Sequence, residues 1–262
     1  MVIGLTTFQD HFKDYSDRYV LIGGSACTVA MNEVDQDFRA TKDLDIVLCI
    51  EVLDSDFVHK FWEFITLGGY KNIQQSTGEK RFYRFHTPKD KTFPFMLELF
   101  SRLPDALDYK GNGHLTPIPV DDEVSSLSAI LLNEAYYTFI HAGKREVDGL
   151  PIVGAEHLIP LKARAWLDLS DKKHQGVKVK GSDIKKHKLD IFRLYRIISP
   201  DIHVVLPETI GDDMKQFLQK MLSQHVDLKA LGFKRDTKLE TILIELREFY
   251  GLTLLLDPTV TE

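Results

Sequence analysis

Cysteine is nearly absent from this chain of 262 residues, which carries only Cys27 and Cys49, each among apolar neighbours. That excludes a disulfide framework and a cysteine-built zinc cluster, and both thiols read as buried, reduced and structural. His11, His86, His141 and His157 stand at no metal-ligand spacing to them, which argues further against zinc. No run of about 18 consecutive apolar residues occurs, and the first residues lack the basic-then-apolar order of a secretion signal, so neither a membrane span nor export is expected. A cytoplasmic location follows by default. Basic residues are also in deficit: Lys and Arg number 33 against 39 Asp and Glu, a net charge of -6. That balance excludes a broad nucleic-acid surface and leaves room for a local basic patch. There is no internal repeat and no low-complexity segment.

What the chain does have is an ordinary globular composition, 44% hydrophobic, at a length that favours two domains. A helix over Phe8 to Tyr15 leads into a strand, Tyr19 to Ile22, that stops at Gly23-Gly24 before a helix from Ser25 to about Glu33. A polar connection over 35–42 precedes a second strand, Asp45 to Ile50. A helix from Phe57 to Leu67 ends at the glycine pair Gly68-Gly69, and strands follow over Arg81 to His86 and Phe93 to Phe100, with Pro94 marking a strand start. Periodicity is lost over 105–119, where Gly111, Gly113, Pro117 and Pro119 cluster. Beyond it helical spacing recurs over Val124 to His141, Leu158 to Leu169, Lys186 to Ile198, Asp212 to Gln224 and Lys238 to Phe249, with Pro160 placed in a first turn. The expected architecture is α+β: a mixed-sheet domain over 1–118, then a mainly helical domain over 119–262.

Three features carry chemistry. Gly23, Gly24 and Ser25 form a turn into a helix, where glycine lets the backbone approach a phosphate and the helix start offers unpaired N–H groups. An ordinary turn and helix cap would read the same way. Asp43 and Asp45, two apart on a strand, project from one face, so their oxygens can converge on a divalent cation such as magnesium. The plain alternative is a strand end with two solvated aspartates. Glu98 is the lone charge in an apolar strand and needs a partner: the same metal site, or a salt bridge to Arg81, Arg84 or Arg102.

Gly24-Ser25 after one strand, Asp43-Leu-Asp45 on the next and a carboxylate on a later strand resemble the DNA polymerase beta-type nucleotidyltransferase superfamily. Within it, Arg39-x-Thr41-x-Asp43-x-Asp45 is similar to the AbiEii/MenT-like nucleotidyltransferases, known as toxins of toxin-antitoxin systems. Leu158-Ile-Pro-Leu-Lys162 resembles that family's helix bearing an active-site lysine, and Lys188-Leu-Asp190 its later helix bearing an aspartate. The resemblance implies a nucleotidyltransferase fold with a nucleoside triphosphate (NTP) as substrate and two magnesium ions on Asp43, Asp45 and Glu98. It also implies nucleotide contacts from Gly23, Gly24, Ser25, Arg39 and Thr41, with Lys162 and Asp190 in the catalytic set. The acceptor hydroxyl would belong to a transfer RNA 3′ end or a protein, and a cognate antitoxin is an expected partner. Glu98 departs from the aspartate frequent at its position, and the spacing from Ser25 to Asp43 is longer than the superfamily commonly shows.

Read without the family, Lys162 is either a cation facing a triphosphate or a lysine whose stem covers core surface. Asp190 either orients Lys162 or Arg193 or is a first-turn aspartate favoured by the helix dipole. The basic run from Lys172 to Lys188 either grips an RNA backbone, closes over the nucleotide, or is a solvated loop. The rival to an enzyme is a non-catalytic module that keeps the fold to sense nucleotide or bind a partner.

Overall fold

A computed structural model of the chain describes residues 2–49, 52, 54–72, 83–100 and 133–253. The expected boundary over 105–119, the first part of the Val124 to His141 helix, and Arg81 and Phe82 lie outside them.

The fold is α+β, built on a mixed seven-stranded sheet in the order β3-β4-β5-β2-β1-β7-β6. Its strands are β1 (Tyr19–Ile22), β2 (Asp43–Leu48), β3 (Lys71–Asn72), β4 (Tyr83–His86), β5 (Met96–Phe100), β6 (Lys144–Val147) and β7 (Leu150–Val153). β1 runs antiparallel to β2 and parallel to β7, and β2 runs parallel to β5. All four residues of β1 are buried, the pattern of a central strand covered on both faces. Helix α1 (Leu5–Phe12) and helix α3 (Ser55–Gly68) bring Phe8, Phe12, Phe57, Phe61 and Phe64 into one aromatic cluster that reaches Tyr19. Asp54 caps α3 by accepting from the Phe57 N–H at 2.9 Å, and Gly69, at φ 61°, ends it in the left-handed turn the glycine pair predicts.

Helix α2 (Gly23–Asn32) starts two residues earlier than the sequence suggests and packs on β1, β2 and β7 and against the long helix α5 (Ala155–His174). After α4 (Glu134–Ala142) comes the β6-β7 hairpin, which lies within the region expected to be mainly helical and extends the sheet at β1. Asp148 and Gly149, at φ 50° and 77°, make its two-residue turn, the dipeptide that a primed turn favours. Helices α5, α6 (Gly181–Tyr195), α7 (Glu208–Met221) and α8 (Leu239–Phe249) complete the chain's helical part. α5 packs against both α6 and α7, and α7 against α8. Buried apolar side chains from the sheet and these helices form one continuous cluster.

Pro160 is not in a first turn. Helix α5 begins at Ala155, so Pro160 lies inside it and cannot donate to the Glu156 carbonyl one turn back. That carbonyl instead accepts from the buried Tyr250 hydroxyl at 2.7 Å, a hydrogen bond from just beyond α8 that repairs the break. Tyr250→Phe should therefore destabilise the protein by about 1–3 kcal/mol, the cost of a buried acceptor left unpaired. In a Pro160→Ala background, where the substituted residue regains a backbone donor, the same change should cost less. Urea denaturation of the four proteins measures both, and equal losses in the two backgrounds would rule the repair out.

Candidate active site

β2 is paired on both sides, and this fixes the site. Across the antiparallel ladder Asp45 stands opposite Ile22, the last residue before α2, and across the parallel ladder it stands beside Glu98. Asp43 and Asp45 alternate with buried Leu44 and Ile46, so both carboxylates emerge on one face, as the spacing predicts. Gly23 turns the chain at φ 66°, and a β-carbon there would fall 1.7 Å from Asp45 Oδ2. Glycine is thus required twice over, by the backbone angle and by the carboxylate pressed against it. A β-carbon on Gly24 would lie 2.7 Å from Thr41 Oγ1 and 3.5 Å from Arg39 Nη2, which places both connection residues over the start of α2. No side chain caps α2, leaving its first N–H groups facing this junction. Ser25 is fully buried and its hydroxyl donates to the Ile22 carbonyl at 3.1 Å, so it braces the turn.

Glu98 is 6% exposed, and its Oε1 accepts from Arg84 Nε at 2.6 Å across the β4-β5 ladder. Of the partners weighed for it, Arg84 pairs with it, and Arg81 and Arg102 lie outside the described residues. Among the described residues no three or more His, Cys, Asp or Glu side chains are grouped as a ready-made metal cage. Strand register sets Glu98 beside Asp45, while the Glu98 side chain pairs with Arg84. Burial, and next the Glu98 charge, push the Asp45 carboxyl up to about 8, and the same two causes raise Asp43. Carboxyls held up in this way are relieved by a nearby cation. As a donor set, Asp43 and Asp45 suit a hard, oxygen-preferring ion such as magnesium.

Asp190 organises the opposite wall. It lies well inside α6, not in its first turn, and is wholly buried. Arg39 reaches it with two parallel bonds, Nε to Oδ1 at 2.9 Å and Nη2 to Oδ2 at 2.8 Å. Lys162 Nζ stands 3.4 Å from Oδ2 and Arg193 Nη1 3.3 Å from Oδ1. Lys162 is 2% exposed, and its charge acts on Asp45, tending to lower its pKa. The snorkelling alternative does not hold, since its ammonium is as buried as its stem.

The fold thus brings Gly23, Gly24, Ser25, Arg39, Thr41, Asp43, Asp45, Glu98, Lys162 and Asp190 into one region, although Ser25 and Glu98 have protein partners. Sequence reasoning misses three participants in whole or in part. The guanidinium groups of Arg39 and Arg193 both lie over the Phe38 ring, 5.2 Å and 5.9 Å from its centroid. Arg193 is legible only as something Asp190 could orient. His187 is 6% exposed with no partner for Nδ1 among the described residues, and burial, followed by the charges of Lys162, Lys186 and Arg39, holds it neutral. In the sequence it is hidden within the basic run.

The folded protein keeps a proton on Asp45 that the unfolded chain releases above about pH 4. Its contribution to stability is therefore full below that value and lost as pH rises through about 8. Without divalent cations the melting temperature should fall between about pH 4 and pH 8, the span of that loss, and Asp45→Asn should flatten this part of the profile. An unchanged slope in the variant would refute the assignment. Asp190→Ala, which strands three cations around a buried cavity, should cost about 3–5 kcal/mol in chemical denaturation. Arg193→Ala, at the partly exposed end of the cluster, should cost clearly less, and equal losses would contradict the central place given to Asp190.

No protein-family model matches the chain, and a comparison with curated proteins finds no match. Among solved structures, the chain is similar to the Megavirus polyadenylate synthase at 13% identity and a TM-score of 0.39, covering 84% of this chain and 36% of that one. It is also similar to an antigenic nucleotidyltransferase-like protein from Paracoccidioides brasiliensis at 16% identity and a TM-score of 0.42, covering 87% of this chain and 91% of that one. The chain thus spans about a third of the first structure and most of the second. Among the described residues no helix is long and apolar enough to cross a membrane.

Proposed function

We propose that the chain is a magnesium-dependent nucleotidyltransferase that moves a nucleoside monophosphate from an NTP to an acceptor hydroxyl. The observation that carries this reading is the ladder register that sets Asp45 between Gly23-Gly24 and Glu98, with Asp43 on the same face. A phosphate-seating turn and a cation-seeking carboxylate pair are then one site.

Asp43 and Asp45 would hold the metal, with Glu98 joining if it exchanges Arg84 for the ion. Bound there, magnesium supplies charge neutralisation of the phosphates and activation of the attacking and leaving oxygens. The protein's own groups do the rest. The first N–H groups of α2 bind a phosphate at the point where Gly23 and Gly24 permit close approach, and Thr41 covers that turn. Lys162, fixed by Asp190, offers positive charge in a site from which water is largely excluded, where such a charge is most effective. Arg39 is held in the same way, and Asp190 acts as a positioning residue for both. His187, held neutral by burial and by the charges of Lys162, Lys186 and Arg39, adds no further positive charge to this wall. The acceptor, a transfer RNA 3′ end or a protein hydroxyl, and a toxin role with a cognate antitoxin, rest on the family resemblance alone. The division into a nucleotidyltransferase domain over 1–118 and a helical one over 119–262 rests on the sequence pattern, the loss of periodicity over 105–119 and the helical spacing beyond it.

A second reading, a nucleotide-sensing module without chemistry, draws on the Arg84–Glu98 pair, which satisfies the third carboxylate without any metal. The two separate when the protein is incubated with magnesium and each α-labelled NTP, together with total transfer RNA or cell extract. Label should appear in RNA or protein, and should fall to background with Asp43→Ala or Asp45→Ala variants that melt as folded proteins. Magnesium-dependent NTP binding with no transfer to any acceptor pool would favour the sensing module.

A further inference from the structure

The basic run read from the sequence is not one loop. Lys172, Lys173 and His174 finish α5, residues 175–180 connect, and Lys185, Lys186 and Lys188 lie on α6. Several of these residues, with the end of α7 and the segment after it, line a cavity of about 1030 Å³ that contains none of the catalytic carboxylates. That is the upper end of the volume usual for a small-ligand site.

Its walls and floor differ in kind. Lys173, Lys185, Lys188, Arg193 and Lys220 are the lining cations, against Asp171 and Asp227. Lys220 is paired with Asp171 at 2.8 Å, and Lys188 is held by the Gln224 side chain and the His225 carbonyl. Lys173 and Lys185 have no ion-pair partner among the described residues. The Lys173 ammonium lies 3.9 Å from where a β-carbon on Gly181 would be, at the uncapped start of the 15-residue helix α6. A cation at the positive end of a helix is the unfavoured placement, and an anion between the two would satisfy both. The floor is apolar, with Trp166, Ile184 and Leu231.

We infer that this cavity is a second ligand site, which takes a small molecule carrying a diphosphate on a flat apolar body, a nucleoside diphosphate by chemical class. The diphosphate lies between Lys173, Lys185 and the start of α6, and the flat body covers the apolar floor. Arg193 forms part of the cavity wall and also bonds Asp190, so the site backs directly onto the cluster that holds Lys162 and Arg39.

This site requires no metal, which sets it apart from the proposed transfer site. Titrating ADP and inorganic pyrophosphate into the full chain by calorimetry, with EDTA present, should give saturable binding that survives Asp45→Asn. Lys173→Glu with Lys185→Glu, both on exposed side chains, should weaken it at least tenfold while the melting temperature stays within a few degrees. Failure of nucleotidyl transfer leaves this expectation untouched. Binding lost in Asp45→Asn, or unchanged by the double charge reversal, would overturn the second site. Binding of single-stranded RNA oligomers without saturable binding of ADP or pyrophosphate would replace it with a polynucleotide surface.

Discussion

One buried carboxylate, Asp190, holds the two halves of this site in register. Its α6 position is separated by 151 residues from Arg39, yet Arg39 bonds it with both nitrogens. An isolated carboxylate with no exposure would cost several kcal/mol in lost hydration, and three cations are what make it tolerable. The cost is converted into order: Arg39 comes from the connection before β2, Lys162 from α5 and Arg193 from α6 itself. The Phe38 ring packs against both guanidinium groups. Because the fork of Arg39 is rigid, the connection ending at Asp43 is anchored as well, which brings Thr41 over Gly24.

The facing wall is arranged by repulsion. Asp43, Asp45 and Glu98 are drawn together by strand register, and register is set by which side chains must be buried. Leu44, Ile46, Leu97 and Leu99 are all in the core, so β2 and β5 cannot slip by one residue without turning these four apolar side chains away from it and the three acids toward it. Hydrophobic burial therefore enforces an arrangement that electrostatics alone would reject. Arg84, paired with Glu98, eases the strain in the absence of a cation.

The parts of this plan that are legible in the sequence are those written in local pattern. The period-two spacing of Asp43 and Asp45, the glycine stop at α3 and the strand-turn-helix at Gly23 need only neighbours to be read. The β6-β7 hairpin is written there too, through Asp148-Gly149 between two short β-compatible runs, but helical spacing on either side masks it. Pro160 misleads because its position in a helix depends on where the helix begins, and the compensating hydroxyl comes from Tyr250, far along the chain. The partner of Glu98 can be narrowed to arginines and no further, since choosing among them requires the β4-β5 register. Asp190 looks like an ordinary helix aspartate because nothing local tells that its surroundings are closed to water.

The two walls together explain why neither could be built alone. Crowded carboxylates on the β2 side raise each other's proton affinity, and a protonated pair is a poor ligand for a metal. A surplus of cations on the α5–α6 side would repel a magnesium ion if it stood by itself. Lys162 resolves both, since it is tethered to Asp190 and at the same time acts on Asp45 to favour ionisation. A magnesium-bound triphosphate carries the complementary pattern, positive toward the aspartates and negative toward Lys162 and the α2 N–H groups. Under the proposed function the two walls would match the charge distribution of such a ligand, whereas a bare metal ion or a bare phosphate would satisfy only one of them.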